Sequence, residues 1–567
     1  MAATILLFSG ALALIAAAFI VLTGGVTLRT PPLTLRDPLR PLIAGVVLLA
    51  IAAIAAGRDF AAIARAFAGP RDRVAATSAA LASACALVFA IAWTSRAAGG
   101  SDSSCYVLQA EAFAHGHAAL ENPVARVLPD VPNAVFAPIG FLPSPRAYGS
   151  AVPICAPGLA LAMAGAYLAH PSAVFLVVPL AAALLVWLTF VYGRRVSDDV
   201  IGACGAVLVA CSPIFLYQAV QPMSDVPASA AWLASLVSAS PVAAGVWASI
   251  AILIRPNLAL LVVPILFLEK GTVPFSGNST KFLSEVWKRG LSPFLMAGLP
   301  GVGLLLALNA VRYGGVFTSG YGHADSLFSL AHVGPNLARY PAWIAGTETP
   351  FLLLAVAAPW VLRREPGRAR LARISLAAVA LLVTTYLLYT VFDDWWYIRF
   401  LLPSLPILIV LSLTVVRRAI ERLPRAARRM TLLAVTAALA LSYLHVARDR
   451  RVIDLQRLES RFALAGEYAG RHVPADAVIL AGQQSGSLRF HGGRATIAWD
   501  SIPPADLDAV IAALHSAGRP VLIAVEDGED QRFRERFAGQ RWGGLDWAPR
   551  AILPPPTRVH FFDVPAR

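Results

Sequence analysis

The sequence predicts a polytopic α-helical membrane protein with about 13 membrane segments, followed by a small C-terminal α/β domain. Only 14% of the 567 residues are charged and 57% are hydrophobic, whereas soluble globular proteins carry about 25% charge. Apolar runs of about 20 residues, each long enough to span ~30 Å of hydrocarbon, recur as far as Ala447. From Arg448 onward the runs shorten and acids and amides appear, which indicates a separate water-soluble unit.

The apolar runs divide the chain into three predicted parts. Residues 1–73 hold two extra membrane helices and a basic cytoplasmic loop, 74–447 form a membrane core, and 448–567 form the C-terminal domain. Two short segments of the core, 242–254 and 258–268, form either two passes or one re-entrant hairpin, and both choices leave the sidedness unchanged. All predicted segments lie near residues 3–22, 39–56, 74–97, 171–193, 199–217, 226–240, 242–254, 258–268, 290–311, 348–362, 374–392, 400–416 and 430–447.

Lysine and arginine are concentrated in alternate loops of the predicted core. Five short loops, near Arg58, Arg194, Lys270, Arg363 and Arg417, carry most of them. The positive-inside rule therefore places these loops and the N-terminus in the cytoplasm, and the C-terminal domain on the periplasmic or extracellular side of the cytoplasmic membrane. The same placement explains the net charge of +14 without nucleic acid, which is not expected as a partner.

Two loops are predicted on the outer face. The first, 98–170, has Cys105 near its start and Cys155 near its end, and a disulfide could join them outside the cytoplasm. It also holds the apolar stretch Ala156–Ala169, which is too short to span the membrane and is predicted to dip into it. The second, 312–347, is rich in Gly, Tyr and His.

Two acids follow predicted segments on this outer face. Asp102 comes directly after one segment and before a stretch of helical composition, so it either caps that helix or acts as a general base. Asp225 opens the segment near 226–240 in the same way. Because the two acids lie at the same depth, they could also share a divalent metal ion or a substrate hydroxyl.

Two arginines and a second group of polar residues complete the candidate site. Arg255 lies at the break between the two short segments, and Arg399 lies at the head of a later one, where it could pair with Asp393 or Asp394. Guanidinium groups facing a cavity suit a phosphate, because their planar donors match its oxygens. The remaining outer-loop candidates for contacting a substrate are Tyr321, His323 and Asp325.

These motifs, in this order, resemble the GT-C glycosyltransferases, which include the protein O-mannosyltransferases and the lipid A aminoarabinose transferases. The segment Ser101–Glu111, which contains Asp102 and Tyr106, resembles the family's first outer loop, in which an acid precedes a juxtamembrane helix. That helix would end near Gly116. Further resemblances lie in Ala156-Pro157-Gly158-Leu159, Gly193-Arg194-Arg195, Met223-Ser224-Asp225-Val226-Pro227, Ile254-Arg255-Pro256-Asn257 and Trp396-Tyr397-Ile398-Arg399-Phe400-Leu401-Leu402-Pro403.

The resemblance implies an inverting transfer of a sugar from a polyprenyl-phosphate donor to a glycan, lipid or protein acceptor on the outer face. Asp102 would be the general base, and Arg255 or Arg399 would stabilise the departing phosphate. Asp225 would hold the acceptor or a metal, and Tyr106 would contact substrate. Metal use stays open, because Ser103 follows Asp102 where some members carry a second acid. Two other functions remain as alternatives: a flippase for a lipid-linked glycan, and a non-catalytic envelope assembly protein.

Overall fold

The computed structural model describes residues 26–28, 33–35, 73–264, 291–322, 324–555 and 557–566. Two short antiparallel strands, β1 (Val26–Leu28) and β2 (Leu33–Leu35), come first. The predicted spans 3–22 and 39–56 lie outside the described residues, as does the end of 258–268. The helices that follow up to residue 313 are α1 (Arg73–Trp93), α2 (Gly100–Ala114), α3 (Pro157–Tyr167), α4 (Val177–Val196), α5 (Asp199–Cys211), α6 (Pro213–Ala219), α7 (Asp225–Leu236), α8 (Pro241–Ile254) and α9 (Leu291–Tyr313).

The second half of the helical core contains both α-helices and long 3₁₀ turns. The 3₁₀ segment Trp395–Ser404 leads directly into α14, and both are mostly buried. The α-helices are α10 (Ala324–Leu327), α11 (Val333–Thr347), α12 (Ala358–Val361), α13 (Pro366–Leu387), α14 (Leu405–Ala419) and α15 (Arg425–Asp449).

Six helical segments of the described chain are long and apolar enough to cross a membrane, or up to eight if two bent pairs each count as one. The six are Arg73–Trp93, Pro171–Val196, Pro293–Tyr313, Pro366–Leu387, Trp395–Ala419 and Ala426–Asp449. The bent pairs are α5 with α6, at 63°, and Leu330–Thr347 with Pro350–Val361, at 103°. The chain is thus a multi-pass membrane protein, while the predicted total of about 13 segments stays a prediction.

Two predicted segments of the core differ from the structure in their secondary structure, although the boundary between them is close to the predicted one. The outer loop expected over 312–347 contains helix α11, and the span expected over 348–362 is a 3₁₀ run followed by the short α12. The chain breaks at Thr349, which has a φ of 65° and precedes Pro350, and a proline cannot continue the preceding helix. Helix α13 begins at Pro366, eight residues before the apolar run that predicted it, because proline is favoured in a first helical turn.

The first outer loop folds back on itself. Helix α2 is followed by three short strands, β3 (Leu120–Glu121), β4 (Phe141–Pro143) and β5 (Ser150–Pro153), in the order β3-β5-β4. A disulfide joins Cys105 in α2 to Cys155, directly after β5, with Cα atoms 6.3 Å apart. The apolar stretch that follows forms the short helix α3. The disulfide that the sequence allowed is therefore present.

An α/β unit follows α15. Its strands β6 (Val478–Ala481), β7 (Ala495–Ile497) and β8 (Val521–Glu526) are parallel, and β9 (Ala551–Ile552) and β10 (Val559–Val564) complete a sheet of order β7-β6-β8-β10-β9. The helices of this unit are α16 (Leu455–His472), α17 (Ser485–Phe490), α18 (Leu507–Ser516) and α19 (Glu529–Arg536). Strands alternating with helices are the α/β arrangement predicted for this part of the chain, whereas the limits 1–73, 74–447 and 448–567 stay predictions.

The α/β unit and the first outer loop share one hydrophobic core. Val135 and Phe136 of the loop are buried in the same cluster as Trp499 and Phe533 of the unit. The backbone N–H of Ala498 also donates to the carbonyl of Val135 at 2.8 Å. The unit therefore packs directly on the loop that carries Asp102.

Candidate functional site

Asp102 lies in the first turn of α2 and forms an ion pair across the molecule. The residue that precedes the helix is Gly99, and no side chain caps this end, so the predicted capping role of Asp102 is wrong. Its Oδ2 atom instead accepts a hydrogen bond from Nη2 of Arg399 at 2.9 Å. The Asp102 side chain remains 31% exposed and that of Arg399 is 13% exposed, so the carboxylate can still be reached from outside.

Asp225 is the first residue of α7 and forms a second ion pair, which is closed. Its Oδ1 lies 2.7 Å from Nη2 of Arg255, and its side chain has no exposed surface. Nε of Arg255 also donates to Oγ of Ser224 at 3.1 Å. Arg255 is held at this place because α8 ends at Ile254 and the backbone becomes extended at Arg255. The predicted break between the short segments thus aims the guanidinium at Asp225.

The two ion pairs lie on one aromatic ring. The Cζ atoms of Arg255 and Arg399 are 5.6 Å and 5.2 Å from the ring centroid of Phe400, within the range of a cation–π contact. Met223 joins the same group, since its Sδ is 4.0 Å from Nη1 of Arg399 and 3.8 Å from Oγ of Ser103. The four predicted charged residues therefore belong to one site.

Each arginine has one nitrogen donor that the ion pairs do not use. Nη1 of Arg255 and Nε of Arg399 are buried and have no hydrogen-bond partner among the described residues. A buried donor without an acceptor costs about 1–3 kcal/mol. Both carboxylate oxygens of Asp225 are also buried and, apart from the ion pair, have no hydrogen-bond partner among the described residues. The two unused arginine nitrogens are nevertheless the donors that an anion entering the site would engage.

The predicted partner of Arg399 was wrong. Asp393 pairs instead with Arg339, with Oδ1 and Nη2 2.6 Å apart, and Asp394 is the residue that precedes the 3₁₀ segment. The tight turn of that segment directs Arg399 towards α2, where Asp102 lies. A partner 297 residues away in the chain could not be recognised from local spacing.

Aromatic side chains that sequence reasoning missed line the same region. Tyr386 stacks on Phe400 with ring centroids 4.7 Å apart, and its hydroxyl accepts from Nδ2 of Asn257 at 2.9 Å. Tyr397 lies 5.4 Å from Cζ of Arg399. Phe400 could have been found, because it directly follows Arg399 in the resemblance motif. No sequence signal marked Tyr386, which lies at the end of α13.

The remaining predicted residues are placed only in part. Tyr106 is buried in α2, in electrostatic contact with Asp102 and Arg255 and beside the hydroxyl of Ser224. Tyr321 is 44% exposed and interacts electrostatically with Asp102 and Arg255. His323 and the side chain of Asp325 lie outside the described part of the chain. Tyr106 thus adjoins the ion pairs, and Tyr321 lies within electrostatic range of them.

The acids of this site do not fit a divalent metal ion. Asp102 and Asp225 each face a guanidinium at hydrogen-bonding distance, so the charge that a cation would need is already neutralised. Within the described ranges, no group of three or more His, Cys, Asp or Glu side chains could hold a metal. The two acids therefore do not fit the divalent metal ion that the sequence left open for them.

Comparison with known proteins identifies solved structures of similar fold. No protein-family model and no curated protein sequence matches the chain. Solved structures of ArnT from Cupriavidus metallidurans, in the apo state and bound to undecaprenyl phosphate, are similar with TM-scores of 0.52 and 0.51 and 13% identity. Each match covers 85% of this chain and 97% of ArnT.

A second, weaker similarity is to an oligosaccharyltransferase of Archaeoglobus fulgidus tethered to an acceptor peptide. It has a TM-score of 0.48 and 12% identity, and covers 87% of this chain and 74% of the other. The similarity to ArnT confirms the GT-C resemblance as a resemblance of fold.

Proposed function

We propose that this protein is an inverting membrane glycosyltransferase that uses a polyprenyl-phosphate-linked sugar and has Asp102 as its general base. The observation that carries the proposal is the placement of a partly exposed carboxylate and two arginines around the Phe400 ring. A base and a phosphate-binding cation are the two groups that such a transfer needs within one sugar's reach. The similarity in fold to an ArnT structure with bound undecaprenyl phosphate supports the donor class.

The donor phosphate binds to the arginines. Its oxygens accept from the unused N–H groups, Nη1 of Arg255 and Nε of Arg399, and its lipid tail stays in the bilayer. Arg399 then exchanges part of its contact with Asp102 for the phosphate, because a phosphate carries more acceptor oxygens and charge than a carboxylate. Donor binding therefore frees the Asp102 carboxylate at the moment it is needed.

The chemical step follows from this exchange. Asp102 accepts the proton of the acceptor hydroxyl while the hydroxyl oxygen forms a bond to the anomeric carbon from the face opposite the phosphate. The bond between that carbon and the phosphate oxygen breaks, and its electron pair leaves on the polyprenyl phosphate. The two arginines stabilise the charge that develops there. Because the attack comes from the face opposite the leaving phosphate, this single displacement inverts the anomeric configuration.

Asp225 acts through Arg255. Because Asp225 is fully buried behind the guanidinium, it holds Arg255 in place more readily than it reaches an acceptor. Tyr106, beside the ion pairs, and Tyr321, within electrostatic range of them, contact the bound sugar or its acceptor. His323 follows Tyr321 by two residues and is retained as a candidate on its sequence position alone.

The reaction takes place on the outer face of the cytoplasmic membrane, with the N-terminus in the cytoplasm and the α/β unit outside. The distribution of basic loops supports this orientation. The disulfide between Cys105 and Cys155 supports it independently, since disulfides persist in oxidising compartments. Both cysteines belong to the loop that carries Asp102.

A deletion strain tests the function. We expect loss of one envelope glycan or glycosyl modification, and accumulation of its polyprenyl-phosphate-linked sugar in the outer leaflet, because the donor is made but not consumed. Complementation with the wild-type chain restores the modification. Accumulation confined to the inner leaflet would identify a flippase, and an unchanged lipid-linked sugar pool would indicate a non-catalytic role.

A further inference from the structure

The α/β unit holds the short segment that leads into the Asp102 helix. Nε2 of Gln456, near the start of α16, donates to the carbonyls of Ala92 and Thr94 at 3.2 Å and 3.1 Å. The backbone N–H of Ala98 donates to Nε2 of His491 at 3.2 Å. Three hydrogen bonds from two parts of the unit thus fix the chain between α1 and α2.

Close packing reinforces these hydrogen bonds on both sides of the segment. A Cβ atom on Gly99 would collide with the ring of Phe462 in α16, and one on Gly486 in α17 would collide with Oγ of Ser104. Both glycines therefore allow the unit to approach α2 more closely than any other residue would. Phe462 and Ser104, the two residues that these glycines face, are both buried.

The segment needs such support because of its own sequence. Gly99 and Gly100 are adjacent, and Gly100 has a φ of +58°, a region that glycine enters freely. A glycine pair leaves the direction of the following helix poorly fixed by the backbone alone. Asp102 lies only two residues after this pair, so any swing at the pair would move its carboxylate relative to Arg399.

His491 is suited to this task because it is neutral. Its imidazole lies parallel to the ring of Phe175 at 6.2 Å and edge-on to that of Phe490 at 4.9 Å. Desolvation lowers the pKa of His491 to about 4, so the imidazole is neutral at neutral pH and carries a single hydrogen. When that hydrogen is on Nδ1, Nε2 carries no proton. An unprotonated Nε2 is what an acceptor for the Ala98 N–H requires.

We infer that His491 is a positioning residue, through which the α/β unit fixes Ala98 and hence the place of Asp102. The unit then has a part in the transfer without touching substrate. The hydrogen bond and the packing are properties of the fold alone. Only the effect on turnover rests on the proposed function, so the two can be tested separately.

Hydrogen exchange at the Ala98 amide, measured on the full chain in lipid nanodiscs, tests directly whether His491 fixes this residue. The His491→Ala variant is expected to exchange about tenfold faster at this amide, because its acceptor is gone. His491→Gln restores protection, since Oε1 of glutamine reaches about as far as Nε2 of histidine. His491→Asn, which is shorter, does not restore it and serves in place of the alanine variant if that fails to fold. Exposed His472 gives the matched control, His472→Ala, which leaves exchange unchanged.

Turnover supplies the second readout. Transfer by His491→Asn should show a reduced kcat with an unchanged KM for the lipid-linked donor, and His491→Gln should recover the kcat. A purely structural role would lower the amount of folded enzyme and leave the kcat of the folded fraction unchanged. Equal amide protection in all four variants would overturn the inference. Protection that follows the expected order without any transfer by the wild-type chain would sink the proposed function alone.

Discussion

Two ion pairs of the same composition contact the ring of Phe400, and they differ in access to solvent. Asp102 is 31% exposed beside Arg399, whereas Asp225 has no exposed surface beside Arg255. A buried pair is costly to break, because the remaining charge stays uncompensated, while a partly exposed pair exchanges partners at little cost. The open pair is thus suited to chemistry and the closed pair to holding its arginine.

The largest effect should follow from opening the closed pair. Asp225→Ala is expected to lower the free energy of unfolding by about 3–5 kcal/mol, since it leaves the Arg255 charge buried without a partner. Adding Arg255→Met to the same chain should recover much of this loss, because an apolar side chain of similar length fills the space. Denaturant unfolding in detergent measures both. A loss below about 1 kcal/mol for Asp225→Ala would show that the two pairs are equivalent.

The contact of His491 that supports the open pair should make the free energy of unfolding depend on pH. The pKa of His491 is lowered from its ordinary 6.5 to about 4 by desolvation, so between these values the unfolded chain binds a proton that the folded chain does not. Stability is therefore complete above about pH 6.5 and falls as the pH drops towards 4, by no more than about 3 kcal/mol.

The groups that face this histidine do not titrate in that range. In the part of the chain that the structure describes, they are the rings of Phe175 and Phe490, the backbone N–H of Ala98 and the neighbouring Gly466. Thermal unfolding of the wild type and of His491→Gln from pH 7 to pH 4 checks the prediction. The variant should lose less stability on acidification, and identical profiles would contradict the assignment.

Arg399→Lys probes the donor side of the open pair. Lysine keeps the charge but loses the planar pair of donors, so binding of undecaprenyl phosphate should weaken by about 1.5–3 kcal/mol, or roughly ten- to a hundredfold. The matched control is Arg471→Lys, at an arginine that is 73% exposed on α16. Binding measured in nanodiscs should be unchanged in the control. Equal affinity of Arg399→Lys and wild type would exclude the guanidinium as the phosphate ligand.

The smallest effect concerns the stability of the open pair itself. Asp102→Asn should change the free energy of unfolding by less than about 1 kcal/mol, because a partly exposed ion pair contributes little after screening by water. Denaturant unfolding in the same detergent as for Asp225→Ala makes the comparison direct. A loss as large as that of Asp225→Ala would remove the distinction between the pairs.

The sequence predicted the charged residues of the site better than their contacts. Asp102, Asp225, Arg255 and Arg399 were recognisable because each stands at the end of an apolar run, where a charge is costly without a function. Their pairing was not, since Arg399 meets an acid 297 residues earlier and not its neighbours Asp393 and Asp394. Local spacing carries no information on such a contact.

The fold shows the same difference between local features, which the sequence predicts, and long-range contacts, which it does not. The α/β class of the C-terminal unit was predicted from the sequence. Its packing on the first outer loop was not, because the shared core around Trp499 and Phe136 joins distant segments. Likewise, the 3₁₀ run Pro350–Ala357 lies in an apolar stretch that reads as a regular membrane helix. Periodicity reports local structure, whereas the position of Asp102 depends on contacts such as that of His491 with Ala98.

The most direct test of the account is the transfer rate of Asp102→Asn with a labelled lipid-linked sugar. If Asp102 is the general base, the rate of the variant should be lower by about 10²–10⁴-fold, the usual contribution of such a group, with expression and unfolding close to wild type. Asp546→Asn, at an aspartate 87% exposed on the α/β unit, is the control and should transfer normally. Full activity of a well-folded Asp102→Asn enzyme would contradict the account, because the open carboxylate would then have no part in the reaction.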